Sequence, residues 1–176
     1  GRGLTRLDIA AARDHCPRSM ARTHHYRVMI EWTGNRGTGT SSYRSYDRAH
    51  ELRAEGKPPI PGSADPAFRG DPACWNPEEM LVASLSACHQ LWYLHLASDA
   101  GICVTAYRDA PEGEMVETAD GAGQFTRVTL RPTVTLADPD SAQAALALHE
   151  RAHALCFIAR SVNFPVICEP IIAGAP

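Results

Sequence analysis

One long apolar segment limits what this chain can fold into. Residues 76–100 open with NPEE and are followed by Gly101. Asparagine at the N-cap, proline in the first helical position and acids in the first turn are typical of a helix start, and a glycine after the last turn ends a helix. The middle of the segment, MLVASLSACHQLWYLHLA, is apolar on nearly every side. We therefore predict a long helix that is buried in a large core or against a partner.

The rest of the chain predicts strands and one further helix. Alternating apolar and polar residues indicate a strand at 24–32, and a turn at 34–37 favours a return strand at 38–46. The other expected strands and the second helix are, in order, 102–110, 114–118, 125–136, helix 138–160 and 166–172. Helices and strands do not alternate regularly, so the pattern predicts an α+β fold with antiparallel strands.

An irregular N-terminal segment and a proline- and glycine-rich internal segment suggest how the chain is organised. Residues 1–23 are polar and irregular, and we expect a poorly ordered N-terminal tail or leader, with Met20 as a candidate natural start. Residues 24–176 are expected to form a single domain. The proline- and glycine-rich segment 54–75 predicts a long loop with no regular structure.

Composition excludes several functional classes. The chain has 176 residues, 44% hydrophobic and 21% charged, and a net charge of -3, as in an ordinary soluble domain. The basic residues are scattered, which argues against nucleic-acid binding, and no apolar run approaches roughly 18 residues, which argues against a membrane span. The six cysteines include no CxxC pair, which argues against zinc ribbons and thioredoxin-like motifs. The start lacks a secretory signal, so we expect a cytoplasmic protein with neither nucleic acid nor membrane as a partner.

Two cysteines lie on the predicted helices, Cys88 in the middle of the first and Cys156 toward the end of the second. A free cysteine usually packs as a small apolar residue, and spacing alone favours that interpretation. His89 does not activate Cys88 through the helix, because adjacent side chains point to different faces. Cys103 and Cys168, in predicted strands, are also expected to be packing residues.

Three segments together resemble the OsmC/Ohr family of thiol peroxidases. They are NPEEMLVASLSACH, the later HALCFIARSVNFPV, and GNRGTGTSS after WTG, and the resemblance spans about residues 24–172. It implies an OsmC-like fold, in which an antiparallel sheet is wrapped around two long central helices of an intertwined homodimer. The partner predicted for the first helix agrees with such a dimer. His89, where phenylalanine is common, and the long loop 54–75 indicate a divergent branch.

The resemblance also implies a reaction. Cys88 becomes the nucleophile that reduces organic hydroperoxides, Cys156 the resolving cysteine, Arg36 the activating cation and Glu78 the carboxylate that positions Arg36. An external dithiol, of the lipoyl type in this family, resets the disulfide, and neither metal nor organic cofactor is expected. Glu78 and Cys88 are separated by roughly 15 Å along one helix, so we expect Glu78 to reach the site from the partner subunit.

Two other functions remain open from the sequence. His149-Glu150-Arg151-Ala152-His153 is an H-E-x-x-H motif, which on a helix can hold zinc in a hydrolase. Such a site needs a third protein ligand, and Cys156 would be an unusual one. The second alternative is a non-catalytic OsmC-like protein that binds a ligand or senses redox state.

Overall fold

The computed structural model describes residues 22–173, so most of the predicted N-terminal tail lies outside the described residues. The strands before and after the first helix and the two α-helices have the following bounds: β1 Met29–Trp32, β2 His50–Arg53, β3 Ile60–Gly62, α1 Pro77–Asp99, β4 Val104–Arg108, β5 Glu112–Glu117, β6 Gly123–Leu130, β7 Thr133–Leu136, α2 Ala142–Leu155, β8 Val166–Cys168 and β9 Ile171–Ala173. Within these residues, neither helix combines the length and the hydrophobicity needed to cross a membrane.

The strands form three small sheets, in the orders β1-β2-β3, β4-β7-β9 and β5-β6-β8. The predicted α+β class is confirmed, but the expectation of purely antiparallel strands is wrong. β6 pairs with β8, and β7 with β9, in parallel. The chain passes through α2 between the two members of each parallel pair, and a helical crossover of this kind returns the chain in the same direction.

The N-terminal hairpin differs from its prediction. Its return strand is β2, which pairs with β1 in antiparallel register, whereas the predicted strand 38–46 is a loop. The Asn35 side-chain oxygen accepts hydrogen bonds from the backbone N–H groups of Gly37 and Gly39. Both glycines have positive φ, a conformation that does not continue a strand.

The proline-rich segment 54–75 is more regular than predicted. It contains β3 and a 3-10 turn at Pro66–Phe68. In the first sheet β2 is central and β3 lies at the edge. An edge strand tolerates Pro61, because a missing N–H on the outer side breaks no ladder hydrogen bond.

The first helix, α1, is confirmed with the predicted cap. The Asn76 side chain accepts a hydrogen bond of 2.8 Å from the Glu79 backbone N–H, and the Glu79 carboxylate accepts one of 3.4 Å from the Asn76 N–H. This reciprocal arrangement satisfies two backbone donors that the helix itself leaves unpaired. At the other end Gly101 has φ 69°, as expected for a residue that ends a helix.

The second helix, α2, is shorter than predicted. It has 14 residues and ends at Leu155, so it does not match the expectation of two long helices. Cys156 follows with extended backbone (ψ 110°), and its sulfur accepts a hydrogen bond from the backbone N–H of Ala159. In a continuing helix, the Ala159 N–H would instead donate to the backbone carbonyl of Leu155. Pro132 likewise divides the predicted strand 125–136 into β6 and β7.

The core lies where α1 packs on α2 and on the two C-terminal sheets. One cluster surrounds the buried residues Tyr93 and Leu96 of α1, and a second combines Leu85 with Val128 and Leu130. Large apolar side chains nevertheless remain at the surface of the single chain: Tyr26, Val28, Met29, Ile30, Leu91 and Phe157. Apolar surface thus remains exposed on the N-terminal hairpin and on one face of α1. The single chain therefore does not give α1 the burial on every side that the sequence predicts.

We expect Asn76→Ala to lower the free energy of unfolding by about 1 kcal/mol, because the buried cap side chain is lost and the Glu79 N–H loses its acceptor. Urea denaturation followed by circular dichroism measures the change. Asn163→Ala, at an exposed position outside the helices, is the matched control and should change stability by less than about 0.5 kcal/mol. Equal losses in the two variants would contradict the assigned role of the cap.

Candidate active site

Cys88 lies on a face of α1 that the single chain covers only in part. The buried face of the helix contains Leu85, His89 and Tyr93, spaced by four residues. Cys88 and Trp92 repeat the same spacing on the adjacent face, and both are half-buried. This face therefore gives Cys88 support from the core on one side and access to solvent on the other.

Cys156 lies beside Cys88, directly after the last turn of α2. The two thiols are close enough to interact, and Cys156 is 1% exposed. Burial raises the pKa of Cys156 to about 11, and the neighbouring Cys88 thiol acts in the same direction. The pair thus combines a half-buried thiol with a buried one that keeps its proton at neutral pH.

Aromatic side chains border the thiol pair. The ring of Phe157, next to Cys156 in sequence, meets the ring of Trp92 edge-on at a centroid distance of 5.5 Å. Phe157 is 66% exposed and Leu91 is 68% exposed. The approach to Cys88 is therefore apolar, and part of it is open in the single chain.

Arg36, the predicted activating cation, lies in the loop of the N-terminal hairpin. Its guanidinium donates hydrogen bonds to the backbone carbonyls of Arg44 and Ser45, and forms an ion pair of 3.7 Å with Asp47. These contacts belong to the hairpin itself. Within one chain the structure does not bring Arg36 into the set of contacts around the thiol pair.

Glu78 lies in the first turn of α1, where the sequence places it. Its Oε2 atom is buried and has no hydrogen-bond partner among residues 22–173. Glu78 lines a cavity of about 320 Å³ together with Trp32, Tyr46 and Arg48. The Arg48 guanidinium lies 4.3 Å from the ring centroids of both Tyr43 and Tyr46. The structure thus brings Arg48 to the cavity of Glu78, and no motif in the sequence distinguishes Arg48 from the other basic residues.

The sequence model of the family described as OsmC-like protein matches residues 70–169, which is more than half of the chain. The chain belongs to the OsmC-like family. The predicted resemblance is therefore confirmed. Among curated proteins, none matches this OsmC-like chain in sequence.

Solved structures agree with this membership. An OsmC-like protein of unknown function from Vibrio cholerae O1 is 30% identical, with a TM-score of 0.77 over 85% of this chain and 100% of that one. An organic hydroperoxide resistance protein from Elizabethkingia anophelis is 15% identical, with a TM-score of 0.60 over 88% of this chain and 100% of that one. A similar protein from Legionella pneumophila is also 15% identical, with a TM-score of 0.59 over 86% and 99%. The last two show a shared fold.

The H-E-x-x-H motif of this OsmC-like protein is divided in space. His149 is buried, and its ring packs against His89 and Tyr93. Among the described residues, the cluster of potential ligand atoms that includes His149 is completed by His89 and Cys168, and His153 is not part of it. The sequence predicts Cys168 as a packing residue and indicates no role for His89, because residues so distant in sequence share no common motif.

Proposed function

We propose that this OsmC-like protein is a cytoplasmic, cysteine-based peroxidase that reduces organic hydroperoxides to alcohols. The observation that carries the proposal is the adjacent pair of thiols, with Cys88 half-buried and Cys156 buried. Membership of the family and structural similarity to organic hydroperoxide resistance proteins support a redox role. The different exposures favour Cys88 as the nucleophile and Cys156 as the resolving cysteine.

The reaction has three balanced steps. The Cys88 thiolate attacks the outer oxygen of the hydroperoxide, the O–O bond breaks, and the alkoxide leaves as an alcohol after taking a proton. The Cys88 sulfenic acid then condenses with the Cys156 thiol, which forms the disulfide and releases water. An external dithiol reduces this disulfide by exchange and is itself oxidised. The proposed reductant is a lipoyl-type dithiol.

We place Arg36 and Glu78 in this site through a homodimer. In this arrangement both Arg36 and Glu78 reach the thiol from a second subunit. A guanidinium stays charged at working pH, so this Arg36 would favour the Cys88 thiolate and stabilise the leaving oxygen. The buried, unpaired Oε2 of Glu78 gives such a guanidinium a carboxylate partner. The exposed apolar residues of the hairpin and the exposed Leu91 support an association that covers them.

The aromatic border of the site supports a preference for alkyl hydroperoxides. Trp92 and Phe157 offer apolar contact to the alkyl group of an organic hydroperoxide. Hydrogen peroxide has no alkyl group and gains nothing from this contact. A stopped-flow comparison of the two oxidants measures this preference, and faster oxidation by hydrogen peroxide would contradict it.

Intact-mass spectrometry after one equivalent of cumene hydroperoxide tests the mechanism. We expect the reduced wild-type protein to lose two hydrogens, because Cys88 and Cys156 join in a disulfide. In Cys156→Ser the resolving thiol is absent, so a sulfenic acid on Cys88 should accumulate and react with a sulfenic-acid trap.

Cys103→Ser is the matched control, since Cys103 is an exposed cysteine and should leave the two-hydrogen loss unchanged. Peptide mapping then locates the disulfide. A bridge that excludes Cys88, or a wild-type mass that stays unchanged, would overturn the proposal.

A further inference from the structure

Three potential metal ligands converge inside the protein on the buried side of α1. His89 comes from α1, His149 from α2 and Cys168 from the end of β8. The facing ring nitrogens, Nε2 of His89 and Nδ1 of His149, are 3.0 Å apart. The Cys168 sulfur lies 3.6 Å from the first nitrogen and 3.9 Å from the second. Three separate elements thus direct one nitrogen or sulfur atom each to a common point.

These separations resemble those of a zinc site. Bond lengths of about 2.0–2.1 Å for Zn–N and 2.3 Å for Zn–S at tetrahedral angles place two nitrogens about 3.3 Å apart and a nitrogen and a sulfur about 3.6 Å apart. The structure has 3.0 Å for the first separation and 3.6 and 3.9 Å for the second. A shift of a few tenths of an ångström brings all three atoms into bonding range of one ion.

The protonation states also suit metal binding. Burial lowers the pKa values of His89 and His149 to about 4, so both rings are neutral and keep a lone pair at physiological pH. Burial, followed by the charges of Asp109 and Glu169, raises the pKa of Cys168 to about 12. The thiol therefore keeps its proton without a metal, and a bound cation would displace that proton to solvent.

If they served only as packing residues, the two histidines would destabilise the folded state. His89 is 1% and His149 is 3% exposed, and the outer nitrogen of each ring has no hydrogen-bond partner within the described part of the chain. A buried polar atom without a partner costs free energy. Coordination of a metal by the inner atoms releases free energy that can offset this cost.

The cluster opens on one side to a cavity of about 540 Å³. His149 and Cys168 line this cavity, together with Glu150, His153 and Leu146. We propose that His89, His149 and Cys168 bind a zinc ion whose fourth position faces this cavity and takes water or the imidazole of His153. Two imidazoles and a thiolate suit zinc, whereas magnesium and calcium prefer oxygen ligands. The site uses neither Cys88 nor Cys156 and is independent of the peroxidase mechanism.

Titration of the reduced, EDTA-treated full-length protein with Co²⁺ tests the site, because cobalt replaces zinc and a cobalt–thiolate bond absorbs in the near ultraviolet. We expect the absorption to saturate at one equivalent and to be abolished by one equivalent of Zn²⁺. Cys168→Ser should lose the thiolate band, whereas Cys103→Ser should keep it. His149→Asn should weaken cobalt binding, and His95→Gln, an exposed histidine of α1, is its control.

The wild-type protein loaded with zinc provides a second measurement that needs no variant to fold. X-ray absorption at the zinc edge should show one sulfur and three nitrogen or oxygen ligands. Zinc bound without sulfur, no cobalt saturation at one equivalent, or a thiolate band that disappears in Cys88→Ser and persists in Cys168→Ser would overturn the proposal. Cys88→Ser should otherwise keep the metal site, so loss of peroxidase activity and loss of metal binding are distinguishable.

Discussion

Cys88→Ser is expected to lower kcat/KM for cumene hydroperoxide by about 10³-fold or more, because serine at this position supplies no thiolate to attack the O–O bond. The rate of peroxide consumption, with dihydrolipoamide as the electron donor, measures the effect. Cys103→Ser, which removes an exposed thiol elsewhere, should keep wild-type activity. Circular dichroism of both variants separates loss of the nucleophile from loss of the fold.

The same assay distinguishes the peroxidase from a redox sensor of the same family. A peroxidase consumes many equivalents of peroxide per chain while the dithiol lasts. A sensor becomes oxidised once and then reacts no further at a useful rate. Turnover that persists in Cys88→Ser would contradict the assignment of the nucleophile, and a single oxidation of the wild type without turnover would exclude the enzyme.

The metal-free protein is expected to lose stability steeply as the pH falls below about 6.5. Burial, with a smaller effect of His153 on His89, lowers the pKa values of His89 and His149 from 6.5 to about 4 in the folded state. Between pH 6.5 and about pH 4 the unfolded chain binds more protons than the folded one, so a fall in pH favours unfolding. From pH 7 to pH 5 each ring should therefore cost about 2 kcal/mol of folding free energy, less where the two titrations are coupled.

Urea denaturation of the EDTA-treated protein at pH 7 and at pH 5 measures this loss. His149→Asn should reduce the pH dependence, because one of the two buried titrating groups is gone. His95→Gln, at an exposed position of α1, should keep the wild-type dependence. A stability that is equal at the two pH values in the wild type would contradict the neutral, buried state of the imidazole pair.

Local signals explain why some elements could be predicted and others could not. The start of α1 is determined within a few residues of the chain, by the reciprocal hydrogen bonds of Asn76 and Glu79 and by the proline between them. The end of α2 depends instead on Cys156, whose sulfur takes the Ala159 N–H where the chain meets α1. The register of the N-terminal hairpin likewise depends on side-chain hydrogen bonds within a loop whose composition resembles a strand.

The fold class, the long capped helix and the family membership could all be predicted from the sequence, because propensity, capping and short motifs act over short stretches of chain. The meeting of His89 with His149 and Cys168 could be seen only after folding, since these residues lie on α1, α2 and β8 and share no sequence spacing. Helix geometry already predicted that Cys88 and His89 point to different faces, but their partners come from packing: Cys88 contacts Cys156, and His89 contacts the histidine cluster. Sequence spacing predicts only which nearby residues share a face of one helix or strand. A chemical site forms where elements distant in sequence pack together.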